Sequence, residues 1–346
     1  MKSSQITIRD IALKLNISTS TVSRALRDVP EINTDTKQAV LDMAEQLHYQ
    51  PNVIAQSLRQ NKTHIIGVVV PEISIHFFST VISGIQDKAA EYGYNVMIWQ
   101  SNENFEIEES ALRALTSTRV DGLLISLTRE TVDLSYLKEI YEHQIPIVLF
   151  DRIVDDLPVS QVIVDDQDGA FQAVAHLFAN GCRRIAHLAG PSTLSISRKR
   201  KQGYLDALEV FNLEKNEDLV VTCPGLKDSA KAATQRLLDL DPPPDAIFAI
   251  NDPVAIIAAG VLKDRGFKIP EDVALVGFTN EPIGAHMSPS LTTVAQPAYE
   301  IGQVAMELFL EQTNYPGLFK MKKRVLKTKL LVRDSSRRNP QRVSKY

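Results

Sequence analysis

Residues 8–27 read IRDIALKLNISTSTVSRALR, and the order of apolar and polar residues in this stretch decides how the chain begins. Ile8, Ile11, Ala12 and Leu15 recur at i, i+3, i+4 and i+7, which puts one apolar stripe on a helix. Asn16 interrupts the stripe, and Asn tolerates the left-handed backbone that ends helices. Ser18 is placed to cap a second helix over 19–27. Only Val22, Ala25 and Leu26 of that helix face a core, so Thr19, Ser20, Ser23 and Arg24 stay polar and exposed. Asn33 caps a third helix whose stripe is Val40, Met43, Ala44 and Leu47. Two helices joined by a tight turn, with a third as buttress, form a helix-turn-helix. Such a unit enters the major groove of DNA when short polar side chains crowd the start of its second helix. Ser18, Thr19, Ser20, Ser23 and Arg24 meet that requirement, and Arg24 can pair with guanine or clamp a phosphate. The bland use of the same pattern is a small interaction domain.

Past this unit, 50–62 (QPNVIAQSLRQNK) opens with Pro51, suited to a helix start. Residues 52–59 suffice for two turns, a helix marginal on its own in water. From 64 the texture changes. HIIGVVV (64–70) is a near-continuous apolar run, as in a parallel strand buried on both faces. Strands follow at 94–99, 120–127, 147–150, 161–164, 184–189, 219–222, 246–250, 273–278 and 324–332. Helices at 77–92, 105–117, 133–143, 168–179, 197–211, 227–239, 253–265 and 298–312 separate them. This alternation implies two doubly wound parallel-sheet lobes of about 130 residues each, with a ligand cleft between them.

The whole chain has 346 residues, 44% apolar and 23% charged, as expected of a globular protein. Its net charge of −4 hides a split. Residues 1–62 carry +2 and residues 320–346 carry +10, which leaves −16 for the middle. Cys182 and Cys223 form no close pair and fit a reducing compartment. No secretory leader and no apolar run of about 18 residues is present, so a cytoplasmic location is expected. The motifs GxGxxG, GxxxxGK[ST], HExxH, GxSxG and CxxC are absent, and no metal or cofactor is expected. The acids at 155–156 and at 165, 166 and 168 read as solvated strand ends.

The motifs I-R-D-I-A, S-T-V-S-R-A-L, T-K-Q-A-V, L-H-Y-Q-P-N and A-Q-S-L make the first sixty residues resemble the DNA-binding headpiece of the lactose-repressor (LacI/GalR) family. GVVVPEISIHFFSTVISGIQ, VDGLLI, FDR, RRIAHLAGP, RKRKQGY, IFAINDPVA, PEDVALVGF and PSLTTVAQP extend the resemblance to about Ser336. The resemblance implies an all-α headpiece at 1–49, a hinge helix and linker at 50–62, and a periplasmic-binding-protein-like α/β core at 63–334. One lobe would take 63–160 plus 294–322, the other 161–293 plus 323–334, ahead of a basic tail at 335–346. It also implies a homodimer on a pseudo-palindromic operator and a small-molecule effector, with a carbohydrate foremost. Thr7, Ser18, Thr19, Ser20, Ser23, Arg24, Asn52, Ala55 and Leu58 would contact DNA, Leu58 as a wedge between base steps. Phe77, Phe78, Asp151, Arg200, Asn251, Thr279 and Gln296 would bind the effector.

Three positions depart from the family pattern. Thr279–Asn280 replaces an acid after Gly277–Phe278, and Pro224–Gly225–Leu226 stands where an aromatic residue often stacks. Asn16 replaces the usual turn glycine. A phosphorylated or acidic effector read by Arg200, or control through a partner protein, therefore stays open. The tail lacks the leucine repeat through which some relatives tetramerise, so a dimer is expected. The rival functions are a sugar-binding receptor without DNA activity and an α/β enzyme using Asp151 and Arg200; a non-enzymatic regulator is the expectation.

Overall fold

A computed structural model describes residues 6–49, 62–225, 227–314 and 320–338. The chain divides into two compact units, Met1–His64 and Ile65–Tyr346.

The first unit holds helices α1 (Ile8–Leu15), α2 (Thr19–Ala25) and α3 (Thr34–Gln46). Local chemistry sets their ends. Asn16 closes α1 with a φ of 54°. The Ser18 hydroxyl accepts from the Thr21 N–H at 3.0 Å, and Asn33 Oδ1 accepts from the Asp35 N–H at 2.9 Å. Helix α2 stops two residues earlier than expected, because the chain turns at Asp28 with a φ of 58°. Ile11, Ala12, Val22, Ala25 and Val40 form the buried centre, with Ile8, Leu15, Leu26, Met43, Ala44 and Leu47 packed around it.

The second unit contains two six-stranded sheets. The strands are β1 (Ile65–Val70), β2 (Asn95–Gln100), β3 (Gly122–Ile125), β4 (Ile147–Phe150), β5 (Ser160–Val164), β6 (Ile185–Ala189), β7 (Val220–Thr222), β8 (Ala246–Ala249), β9 (Ala274–Thr279), β10 (Thr292–Ala295), β11 (Lys323–Leu326) and β12 (Lys329–Leu331). One sheet runs β11-β5-β4-β3-β1-β2 and the other β12-β10-β9-β8-β6-β7. All pairings are parallel except β10 with β12. Apolar strands explain this: β1, β3, β4 and β5 are buried on both faces, as parallel strands between helices must be. Helices His76–Glu91 and Ala298–Asn314 cover the first sheet and meet through glycines. A Cβ on Gly84 would lie 2.1 Å from the Tyr299 carbonyl oxygen, and one on Gly302 would lie 2.1 Å from that of Val81.

The topology corrects three expectations. The single strand expected over 324–332 is two strands, since β11 pairs with β5 in one sheet and β12 with β10 in the other. Strand β10 and the short helix Pro282–His286 were not expected at all. Strands β5 and β11 belong to the first lobe and β10 to the second, so the lobe boundaries differ from 160/161, 293/294 and 322/323. The chain crosses between lobes after β5, after β10 and after β11. Lys327 Nζ lies 3.3 Å from the Asp165 carboxylate, which ties the last crossing to the first.

Candidate DNA-reading face and effector cleft

In the first unit, Thr19 and Ser20 are exposed in the first turn of α2, and Thr7 is exposed just before α1. Ser18 is more committed than expected. Its Oγ caps the Thr21 N–H and lies 2.7 Å from Ser20 Oγ and 2.8 Å from Thr21 Oγ1. It therefore shapes the face as much as it belongs to it. Ser23 is half-buried, and its carbonyl accepts from Arg27 Nε at 2.9 Å. Arg24 is exposed and only 3.8 Å from Glu31, a contact too weak to hold it against a stronger anion. Asn52, Ala55 and Leu58 lie outside the described residues.

In the second unit the expected effector residues gather at the carboxyl ends of the strands, where doubly wound sheets bind ligands. Asp151 follows β4 with a φ of 59°, strained for a residue with a Cβ. It is buried, and burial pushes its carboxyl up to about 6 against the pull of Arg152 and Arg200. Arg200, on helix Ser195–Val210, is 2% exposed. Its Nε donates to Asp166 at 2.8 Å and its Nη1 to the Ile250 carbonyl at 2.8 Å, while the guanidinium rests 3.7 Å from the centre of the Phe278 ring. These contacts hold the fork rigid. Gln296, at the second lobe crossing, lies beside Asp151 and helps keep it charged, yet neither of its amide atoms completes a hydrogen bond with the described residues. Thr279 ends β9 at a φ of 112°, and its buried hydroxyl also has no partner.

Three expected residues behave differently. Asn251 caps helix Asp252–Asp264 by accepting from the Val254 N–H at 3.0 Å, so its carboxamide oxygen is occupied. The cap is thus Asn251, while Asp252 is fully buried and accepts from Thr293 Oγ1 and the Glu281 N–H, both at 2.7 Å. Phe77 and Phe78 both belong to the core of the first lobe, at 5% and 2% exposure. Phe78 alone approaches the polar end of the cleft, with Arg152 5.8 Å from its ring centre.

Five cleft residues, Glu103, Arg129, Arg152, Asp166 and Glu281, were not among the expected effector residues. Glu103 accepts from Arg152 Nη1 at 2.8 and 2.9 Å, and Arg129 Nη2 lies 3.4 Å from it. Burial pushes Glu103 up, but the two guanidiniums hold it below the usual carboxylate range. Asp166 is no solvated strand end: it is 2% exposed against Arg200. Arg129 also crosses the cleft. Its Nη1 donates to the Pro224 carbonyl, and its own carbonyl accepts from Thr193 Oγ1 at 3.2 Å. On another side, burial pushes the Glu281 carboxyl of the second lobe up, against the pull of the His76 side chain and the nearby backbone of His76 and Phe77 in the first. The only sequence signal for the first pair was FDR at 150–152, where Arg152 follows the strand-end acid.

Residues 63–329 match the family of periplasmic binding proteins and sugar binding domain of LacI family, and residues 7–52 match bacterial regulatory proteins, lacI family. The HTH-type transcriptional repressor CytR of Escherichia coli is 33% identical over 334 residues, 96% of this chain and 97% of that protein. A solved complex of the transcriptional regulator CelR with cellobiose superposes with a TM-score of 0.74 at 29% identity, over 96% of this chain and 100% of the other. The lac repressor dimer bound to operator and an anti-inducer shares the fold, with a TM-score of 0.85 at 24% identity over 96% and 99% of the two chains. Among the described residues no helix is long and apolar enough to cross a membrane, and no group of three or more His, Cys, Asp or Glu could hold a metal ion.

Proposed function

The chain belongs to the LacI family of bacterial regulatory proteins, and on that premise we propose that it works in the cytoplasm as a homodimeric repressor whose operator affinity is set by a carbohydrate bound between its lobes. It performs no turnover. The observation that carries this reading is the pairing, in one chain, of an exposed hydroxyl-rich first turn on α2 with a strained, polar cleft between two sheets.

On DNA, α2 enters the major groove with Thr19 and Ser20 toward base edges. Arg24 exchanges its weak contact with Glu31 for a base or phosphate. The dimer axis matches the axis of a pseudo-palindrome. The hinge at 50–62 brings Leu58 and Ala55 to the minor groove, where Leu58 opens a base step. The middle of the chain carries −16, which repels the duplex and leaves contact to the headpiece and hinge.

In the cleft, Asp151 accepts hydroxyl hydrogens and Arg200, immobilised by Asp166, Ile250 and Phe278, presents its remaining Nη2. An effector that exchanges partners with Arg129, Thr193 and Glu281 shifts the closure of the lobes. That shift changes how the two hinges pair, a coupling of typically about 1–3 kcal/mol.

Selection of random duplexes on the full-length protein, followed by sequencing, tests the DNA half. A two-fold symmetric consensus is expected, and Leu58→Ala should weaken that site far more than unrelated DNA. Recovery of no enriched sequence returns the chain to a sugar-binding receptor without DNA function.

A further inference from the structure

The cleft's charges are already spent on one another. Its first-lobe wall holds Glu103, Arg129, Asp151 and Arg152, and its second-lobe wall holds Asp166 and Arg200. Arg152 lies 2.8 Å from Glu103 and 3.9 Å from Asp151, Arg129 lies 3.4 Å from Glu103, and Arg200 lies 2.8 Å from Asp166. Every guanidinium on these walls thus faces a buried or nearly buried carboxylate, and the set is neutral. Among the described residues, the buried polar atoms left without a hydrogen-bond partner around the cleft are mostly uncharged: both amide atoms of Gln296 and the hydroxyls of Thr279 and Ser197, beside Nε of Arg152 and Oε1 of Glu281. Gln296 is 9% exposed and lies beside Asp151, so its amide and that carboxylate can meet the same ligand hydroxyls.

From this balance we infer that the cleft selects an uncharged, hydroxyl-rich ligand and rejects the phosphorylated or acidic form of the same sugar. The inference rests on the effector reading of the cleft and fixes its ligand class. A neutral polyol offers a donor and an acceptor at each hydroxyl, which suits Gln296, Thr279 and the ionised Asp151 together. A carboxylate or phosphate monoester brings a charge that no guanidinium is free to neutralise, because each already faces a carboxylate. It must break the Arg200–Asp166 or Arg152–Glu103 pair, stranding a buried carboxylate, or lie desolvated beside Asp151. The departure of Thr279–Asn280 from an acidic pattern does not alter this, because it removes a hydroxyl acceptor without adding a cation.

The test is calorimetric titration of the full-length protein with matched pairs: D-ribose against D-ribose 5-phosphate, D-glucose against D-glucuronate, and D-xylose against D-xylonate. The expected result is that at least one neutral member binds and its anionic counterpart binds about 100-fold more weakly or worse. Tighter binding of an anionic member overturns the charge inference and leaves the effector cleft standing. If no member of any pair binds at tens of millimolar, the carbohydrate reading fails and this inference falls with it. Glu103→Gln supplies the converse. It frees Arg152 and Arg129, so a folded variant, checked by its melting curve, should bring the anionic sugar to within about 10-fold of the neutral one. An unchanged ratio in that folded variant also overturns the inference.

Discussion

Arg200 donates from Nε to Asp166 at 2.8 Å, and both side chains are 2% exposed. A buried pair of this kind adds little net stability but is costly to break from one side. Arg200→Met should destabilise the core by about 3–5 kcal/mol, and Arg200→Met with Asp166→Leu should recover most of that loss. Chemical denaturation of the core unit measures both. Equal loss in the single and the double variant would show that the pair is not what holds this part of the cleft.

Asp151 makes effector binding depend on pH. Its carboxyl is pushed up to about 6, chiefly by burial. Above that pH the charged form accepts sugar hydroxyls, and as pH falls through about 6 the acceptor is lost. Affinity should therefore fall about tenfold per pH unit below 6, and Asp151→Asn should bind weakly with no such break. The same raised value has the opposite sign for folding. The folded state binds the proton more tightly than the unfolded chain does, so this group's contribution to stability grows as pH drops from about 6 toward 4. Titration of affinity and of stability on one sample separates the two effects.

Ser18 and Ser20 sit two residues apart and should fail differently. Ser18→Ala removes the cap on the Thr21 N–H and should cost the headpiece about 1 kcal/mol before any DNA is present. Ser20→Ala removes an exposed hydroxyl. It should leave the melting of the headpiece within about 0.5 kcal/mol while weakening the specific site. The comparison is made by thermal melting beside operator binding. A larger folding loss from Ser20→Ala would reverse the assignment of roles.

Gly84 and Gly302 allow helices His76–Glu91 and Ala298–Asn314 to touch backbone to backbone. Gly84→Ala places a methyl 2.1 Å from the Tyr299 carbonyl oxygen and should cost about 1–3 kcal/mol, despite alanine's better helix propensity. Urea denaturation checks this, and a stabilised variant would mean the helices separate easily.

The parts of the fold that rest on local chemistry were legible in the sequence. Asn16, Ser18 and Asn33 end or begin helices through their own backbone neighbourhood, and β1, β3 and β4 announce themselves as unbroken apolar runs. Strands β11 and β12 were not separable, because both are short, lysine-bearing edge strands, β11 mostly exposed and β12 mostly half-buried. Only their partners, β5 162 residues back for one and β10 for the other, tell them apart. The cleft divides the same way. Asp151 and Arg200 were found through motif and strand-end position, whereas Glu103 and Asp166 gain meaning only from partners 49 and 34 residues away. Asn251 shows the reverse error, since a strand-end amide can be spent on the next helix's cap.

The most direct test couples the cleft to the operator. Once a neutral sugar is found to fill the cleft, fluorescence anisotropy on the selected operator should be recorded at fixed salt, with and without that sugar at saturation. Operator affinity should change by about 5–150-fold, and the change should be lost in Asp151→Asn. Identical affinity with the cleft filled and empty would contradict control of the operator from the cleft.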